Sequence, residues 1–371
     1  MSSYTERFAE NVRNGIAKHR TFWNGGGPSL LFLPCGDVNL YKTSEAAMYD
    51  LSDYPERFED PEKMYAGEIA RAELMVDWPT DGIPTVRPNL GTIFVPACGG
   101  QGYKVQPGNM PWPGDHLSRE DIRSIDPEKA TESMMMKRAE AFYNLARERD
   151  DIVPYHADTQ GVFDIAHLLY GEELFVEMAL EEEKTWPHEL IERSLELYLA
   201  VSRHLKETLG ESATEMIHGH ATPQGLYFPH AGVRISEDTA ILISPKMIKE
   251  FLESAISASI EPFGGGFAHY CGKHDPLYEM LCEHPLVRAI DLGNPEFYDN
   301  RWLADHAART GTVLYTRIPA EEGEDWRGFV ERLGTLVQET GVRMVLRATI
   351  YPTERSACEE MLGRWHELTA P

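Results

Sequence analysis

The chain has 371 residues, of which 35 are basic and 60 acidic, for a formal charge of −25. That excess of acid opposes nucleic-acid binding, which needs a basic footprint for phosphates, and opposes docking on an anionic membrane. With 42% hydrophobic, 10% aromatic and 26% charged residues, the composition is that of a chain with a sizeable core.

Reading from the N-terminus, Met1–Arg20 mixes Glu6, Arg7, Glu10, Arg13 and Lys18, so it lacks the apolar stretch of a secretory signal. No apolar run reaches the roughly 20 residues of a membrane span. Five scattered cysteines do not make a disulfide framework. These features lead us to expect a reduced, cytoplasmic protein.

Short β-branched or apolar runs predict strands at Ser29–Pro34, Ile152–Asp158, Met216–His220, Gly266–Cys271, Val287–Leu292, Thr312–Ile318 and Arg343–Ile350. Weaker runs lie at Pro84–Arg87 and Val233–Ser236. Helical spacing runs from Pro187 to Leu209 through Ile191, Leu195, Tyr198, Val201 and Leu205, with Gly210 as a stop. Ser244-Pro245 opens a second helix through Ile248, Phe251, Leu252, Ala255 and Ile256. Two further stripes are Trp326, Phe329, Val330, Leu333 and Val337, and Cys358, Met361, Leu362 and Trp365. Strand–helix alternation over the last 220 or so residues implies parallel pairing with right-handed crossovers. The expected fold is therefore α/β, a (β/α)8 TIM barrel. It would be a single domain over 1–371, with an irregular first part (1–150), a regular β/α part (151–371) and long loops on the active face.

The sharpest chemical feature is His269-Tyr270-Cys271-Gly272. Residues two apart on a strand share a face, so His269 and Cys271 could grip one ion, and imidazole with thiolate is a zinc-type pair. The pair sits where a strand ends and a helix begins, the catalytic face of a barrel. His218-Gly219-His220 has the same geometry and could also chelate, but hydrogen-bonded structural histidines explain it better. Asp158 ends a strand and is either a substrate-orienting or acid–base carboxylate, or a cap for the next helix. Glu237-Asp238 sits in a comparable turn. Cys35 and Cys98 each precede a glycine at a possible strand end. Cys282 and Cys358 read as core, and Glu181-Glu182-Glu183 as a solvated helix end.

The segments Asp158-Thr159-Gln160-Gly161-Val162-Phe163-Asp164, Ile235-Ser236-Glu237-Asp238, His269-Tyr270-Cys271-Gly272 and Ile290-Asp291-Leu292-Gly293, in this order, resemble the uroporphyrinogen decarboxylase superfamily. That superfamily includes cobalamin-dependent methyltransferases. The resemblance runs from about Ile152 to the C-terminus. It implies a (β/α)8 barrel with its site at the C-terminal ends of the strands.

Two activities of the superfamily compete. Its decarboxylases carry arginines at the first strand, whereas Leu31-Phe32-Leu33-Pro34-Cys35-Gly36 has none, nor does any position between Arg20 and Arg57. They also carry a histidine near the last strand, absent from Arg347-Ala348-Thr349-Ile350-Tyr351-Pro352-Thr353. With the charge of −25, this favours a smaller, less charged substrate, or a partner protein carrying one. The methyltransferase branch implies zinc held by His269, Cys271 and a third cysteine near Ala348 or Thr349, where there is none. His220, Asp158 and Cys98 are the candidates to complete the site.

The leading expectation is a zinc-assisted methyltransferase that moves a methyl group between a corrinoid, or a small donor, and a thiol. A corrinoid protein is a possible partner, and Asp158 and Asp238 would orient the reactants. The alternatives are a metal-independent decarboxylase or lyase on a carboxylic acid, and a barrel that binds a corrinoid or tetrapyrrole without turnover.

Overall fold

Strands buried along nearly their whole length, on both faces, set the architecture. In the computed structural model, described over residues 4–35, 53–180 and 184–371, twelve strands are assigned. They are β1 (Leu30–Phe32), β2 (Ile83–Val86), β3 (Tyr103–Lys104), β4 (Trp112–Pro113), β5 (Val153–Pro154) and β6 (Met216–His218). The rest are β7 (Gln224–Phe228), β8 (Val233–Ser236), β9 (Gly266–Tyr270), β10 (Val287–Leu292), β11 (Val313–Thr316) and β12 (Met344–Arg347). Gly36 and Glu181-Glu182-Glu183 lie outside the described residues.

The fold is α/β. Six strands form one parallel sheet in the order β1-β12-β11-β10-β9-β8. A second sheet has the order β5-β2-β7-β6, with β2 and β5 parallel. A backbone hydrogen bond at each edge, with side-chain bonds beside it, ties the two ladders together. Asp81 N donates to Leu31 O (3.0 Å) beside β1, and Gly161 N donates to Ser236 O (2.6 Å) beside β8.

The run Met216–His220 departs from the expectation of parallel pairing. β6 pairs antiparallel with β7, and β7 antiparallel with β2. The cause is a tight reversal in which His220 and Ala221 have φ of 39° and 60°. A chain that turns back within a few residues can only pair antiparallel, since a parallel return needs a crossover. β7 itself was not foreseen, nor was the short β3–β4 hairpin.

Residues on alternate strand positions enter two different cores. Ala268, Tyr270, Ile290, Leu292, Met344 and Leu346 pack against the helices. Phe32, Phe267, Ala289, Tyr315 and Val345 share the other face with Met216, Leu226 and Phe228 of the β6–β7 hairpin. The hairpin thus fills the space over the inner face at the strand starts. Two residues further along, the same face turns polar: His269 follows Phe267, Asp291 follows Ala289, Arg317 follows Tyr315 and Arg347 follows Val345. Among the described residues, no helix is long and apolar enough to cross a membrane.

Candidate metal centre

His269 is the penultimate residue of β9 and is nearly fully buried. Its Nδ1 lies 3.0 Å from Asp291 Oδ2 on the neighbouring β10. Asp291 is completely buried, and its Oδ1 accepts from Arg347 Nη2 at 2.5 Å. Burial opposes ionisation, but Arg347 and the neighbouring imidazoles hold this carboxyl well below its usual range. An ionised carboxylate only accepts, so the proton of a neutral His269 ring sits on Nδ1. The Nε2 lone pair is then free. It faces Cys271 Sγ (3.5 Å) and Asp238 Oδ1 (3.5 Å).

The donor atoms of Asp238, His269 and Cys271 all lie within 4.8 Å of one another. Carboxylate oxygen, imidazole nitrogen and thiolate sulfur are each ordinary zinc ligands, and three protein ligands leave a position open for a reactant. The donor set fits the ion. Burial, then the Asp238 carboxylate, pushes the Cys271 thiol far up. A divalent cation would relieve that unfavourable pairing.

Asp238 is held from two sides. Its Oδ1 accepts from Cys271 N (2.7 Å), and its own N–H donates to Asp164 Oδ2 (2.9 Å). Asp164 Oδ1 also accepts from Thr239 N (2.8 Å). In return, Glu237 Oε2 accepts from Phe163 N (3.1 Å) and Asp164 N (3.2 Å), at the start of the helix Val162–Tyr170. Two helical segments thus exchange capping carboxylates. Gly161 makes the fit possible, since a Cβ there would lie 2.3 Å from the Glu237 carboxyl. Burial, then Asp238, raises the Asp164 carboxyl to about 8, and burial with Asp164 raises Glu237 well above its usual range.

His220 is brought beside His269, with ring centroids 4.3 Å apart. However, its Nδ1 contacts Asp291 Oδ2 and its Nε2 accepts from Arg234 Nη2 (2.9 Å). Burial and Arg234 keep the ring neutral. Through Nε2 His220 serves a hydrogen-bond network, whereas Nδ1 makes no hydrogen bond and joins His269 and Asp291 in a second group of clustered donors. Asp158 continues that network through Arg234 Nη1 (2.8 Å), Arg87 Nη1 (3.6 Å) and Gln160 Nε2 (2.8 Å). Although burial opposes it, the two guanidiniums hold the Asp158 carboxyl far down. It therefore keeps no proton to donate, and Glu237 rather than Asp158 caps the next helix. Of the four described non-glycine residues with positive φ, three (Gln160, His220 and Ala221) belong to this region, where strain marks functional sites.

Cys98 lies elsewhere, in the helix Phe94–Cys98, and burial pushes its thiol up to about 12. It belongs to neither group of clustered donors among the described residues. Cys282 is buried, and Cys358 donates to Pro352 O (3.1 Å). At the position where the resemblance places a third cysteine, Ala348 packs in the helix-side core and Thr349 Oγ1 donates to Ile318 O (3.0 Å).

Comparison with solved structures gives a fold. A methyltransferase from Methanosarcina mazei matches 94% of this chain and 96% of its own, with a TM-score of 0.60 and 13% identity. No family model and no curated protein matches the sequence.

The reading of the sequence missed Arg87, Arg234, Arg317 and Arg347, and used Asp291 only as part of a motif. A usable signal was present. Each of Arg234, Asp291 and Arg347 is a charged residue inside a largely apolar strand, and such a residue must face either solvent or a partner. The expectation of a weakly charged substrate rested on the arginine-free first strand. The guanidiniums come instead from within β8 (Arg234) and from the ends of β2, β11 and β12.

Proposed function

We propose that the chain is a zinc-assisted methyltransferase of the uroporphyrinogen decarboxylase type, built on a closed (β/α)8 barrel and working in the cytoplasm. It would move a methyl group from a corrinoid, free or on a partner protein, or from a small donor, to a thiol. The observation that carries this reading is the convergence of Asp238 Oδ1, His269 Nε2 and Cys271 Sγ within 4.8 Å. The fold shared with a methyltransferase supports it.

In this reading Asp238, His269 and Cys271 hold the ion, with Asp238 taking the place of the missing third cysteine. When bound, zinc keeps a coordinated thiol deprotonated near neutral pH. The chain's own work is positional. Asp291 holds the proton on His269 Nδ1 and so presents Nε2, the orienting role that carboxylates commonly play behind metal-bound imidazoles. Asp164 and Cys271 N fix the Asp238 carboxylate. The methyl carbon gains a bond to the acceptor sulfur and loses its bond to the donor, which departs with the electron pair.

Metal analysis tests the proposal. One zinc per chain is expected, lost in His269→Ala and Cys271→Ser together with methyl transfer. Wild-type protein without stoichiometric metal, or variants that keep full activity, would sink it. The runner-up, a metal-independent decarboxylase of a small acid, is favoured by Arg87, Arg317 and Arg347 at the strand ends and by Arg234 within β8. It requires turnover that chelators leave untouched.

A further inference from the structure

Four guanidiniums belong to the polar network that includes the candidate centre, and three of them have carboxylates. Arg87 and Arg234 meet Asp158, and Arg347 meets Asp291. Arg317 differs. It follows β11 directly and shares the inner face with Tyr315. Its Nε and Nη2 both donate to the carbonyl oxygen of Gly293, at 3.2 and 2.8 Å. Among the described residues it makes no ion pair.

The anchor places Arg317 beside the thiol. Gly293 lies so close to Cys271 that a Cβ on it would sit 2.5 Å from Sγ and 2.9 Å from Cα. The guanidinium is therefore one carbonyl away from Cys271. It is only partly exposed, and Arg347 lies close enough to repel it. A half-buried cation beside a second cation, hydrogen-bonded to one neutral carbonyl and reached by Asp291 and Glu296 only through longer-range attraction, gains from an anion that pairs with it directly. Two of its five N–H groups are used on Gly293. The three that remain include both donors of Nη1, which with Nη2 form the outer fork that matches two oxygens of one acid group.

We propose that the ligand taken up beside Asp238, His269 and Cys271 carries a monoanionic acid group, with a carboxylate the best geometric match, and that Arg317 receives it. A single charge fits better than two, because the carboxylates of Asp238 and Asp291 lie close by. The inference rests on the proposed function only in taking this cluster as the reactive centre. It makes the substrate charged where the sequence pointed to a less charged one. The protein's −25 describes its surface as a whole, whereas the field at this mouth is set by the local arginines.

The test is a calorimetric titration of the full chain, metal-free and zinc-loaded, with propionate, propan-1-ol and propylammonium. Propionate is expected to bind at least about tenfold more tightly than either of the others. Arg317→Gln should erase that preference and keep the zinc content of the wild type, while Arg317→Lys should keep part of the preference. Equal binding of the three probes by the wild type, or an unchanged preference in Arg317→Gln, overturns the proposal. Should the variants fail to fold, the Nε–H resonance of Arg317 in the wild type decides. It moves on adding propionate if the proposal holds, and its indifference overturns it. A propionate preference without zinc binding would remove the metal reading alone, and zinc binding without the preference would remove this one alone.

Discussion

The first and last turns of the same strands do opposite work. Near the strand starts the inner face is largely apolar: Leu30, Phe267, Ala289 and Val345 close on the β6–β7 hairpin. Two residues on, the face carries His269, Asp291, Arg317 and Arg347. One pleat thus separates a packed layer, where substitutions cost stability, from a polar layer, where they cost chemistry. The hairpin seals the first layer, so ligands have the second to themselves.

Substitutions in the two layers should separate accordingly. The largest effect is expected in the upper layer: Cys271→Ser should abolish stoichiometric zinc and reduce methyl transfer by about a thousandfold or more, with little change in the unfolding midpoint. In the lower layer Phe267→Ala should cost about 3–5 kcal/mol in denaturant unfolding while the folded protein still binds zinc. Loss of zinc in that variant would mean the layers are not independent.

Acid offers a second way to address the lower layer. His19 is fully buried beneath it, with Nδ1 accepting from Tyr227 N (3.0 Å) and Nε2 donating to Asp81 O (2.7 Å). Burial lowers its pKa to about 4. The unfolded chain, near 6.5, takes up the proton first. This contribution to stability is therefore complete above about pH 6.5 and falls by up to about 3 kcal/mol as the pH drops towards 4. His19→Asn should flatten that part of the stability–pH curve, and an unchanged slope would refute the assignment.

Smaller effects should sharpen the upper layer. Asp291→Asn should weaken zinc binding by about 10- to 100-fold, because the amide can hold His269 in the wrong tautomer and no longer answers Arg347. Gly161→Ala should cost about 1–3 kcal/mol by forcing the Glu237 carboxyl aside. It should also disturb the visible spectrum of a cobalt-substituted site if the exchanged caps do hold Asp238.

Much of this was legible in the residues. Val233–Ser236 and Val287–Leu292 coincide with β8 and β10, because apolar and β-branched runs bounded by turns report strands directly. His269 and Cys271 were legible because two-residue spacing on one strand is local. The third donor, Asp238, was named only as an orienting carboxylate. Its proximity to His269 comes from the pairing of β8 with β9, a register that sequence spacing does not encode. The same holds for the arginines, whose partners lie on other strands. The antiparallel β6–β7 pair escaped because His220 and Ala221 adopt left-handed backbone that their side chains do not advertise.

The exchange of caps between Asp164 and Glu237 also bears on the order in which the molecule is made. The two partners are separated by about 74 residues of chain, and that loop must close before either cap exists. Asp238 can face His269 only after β8 has docked on β9. A zinc ion would then meet three gathered donors only late, once distant segments have come together. Unlike a zinc finger, whose fold waits for its metal, this chain should reach its native topology by itself and be loaded afterwards.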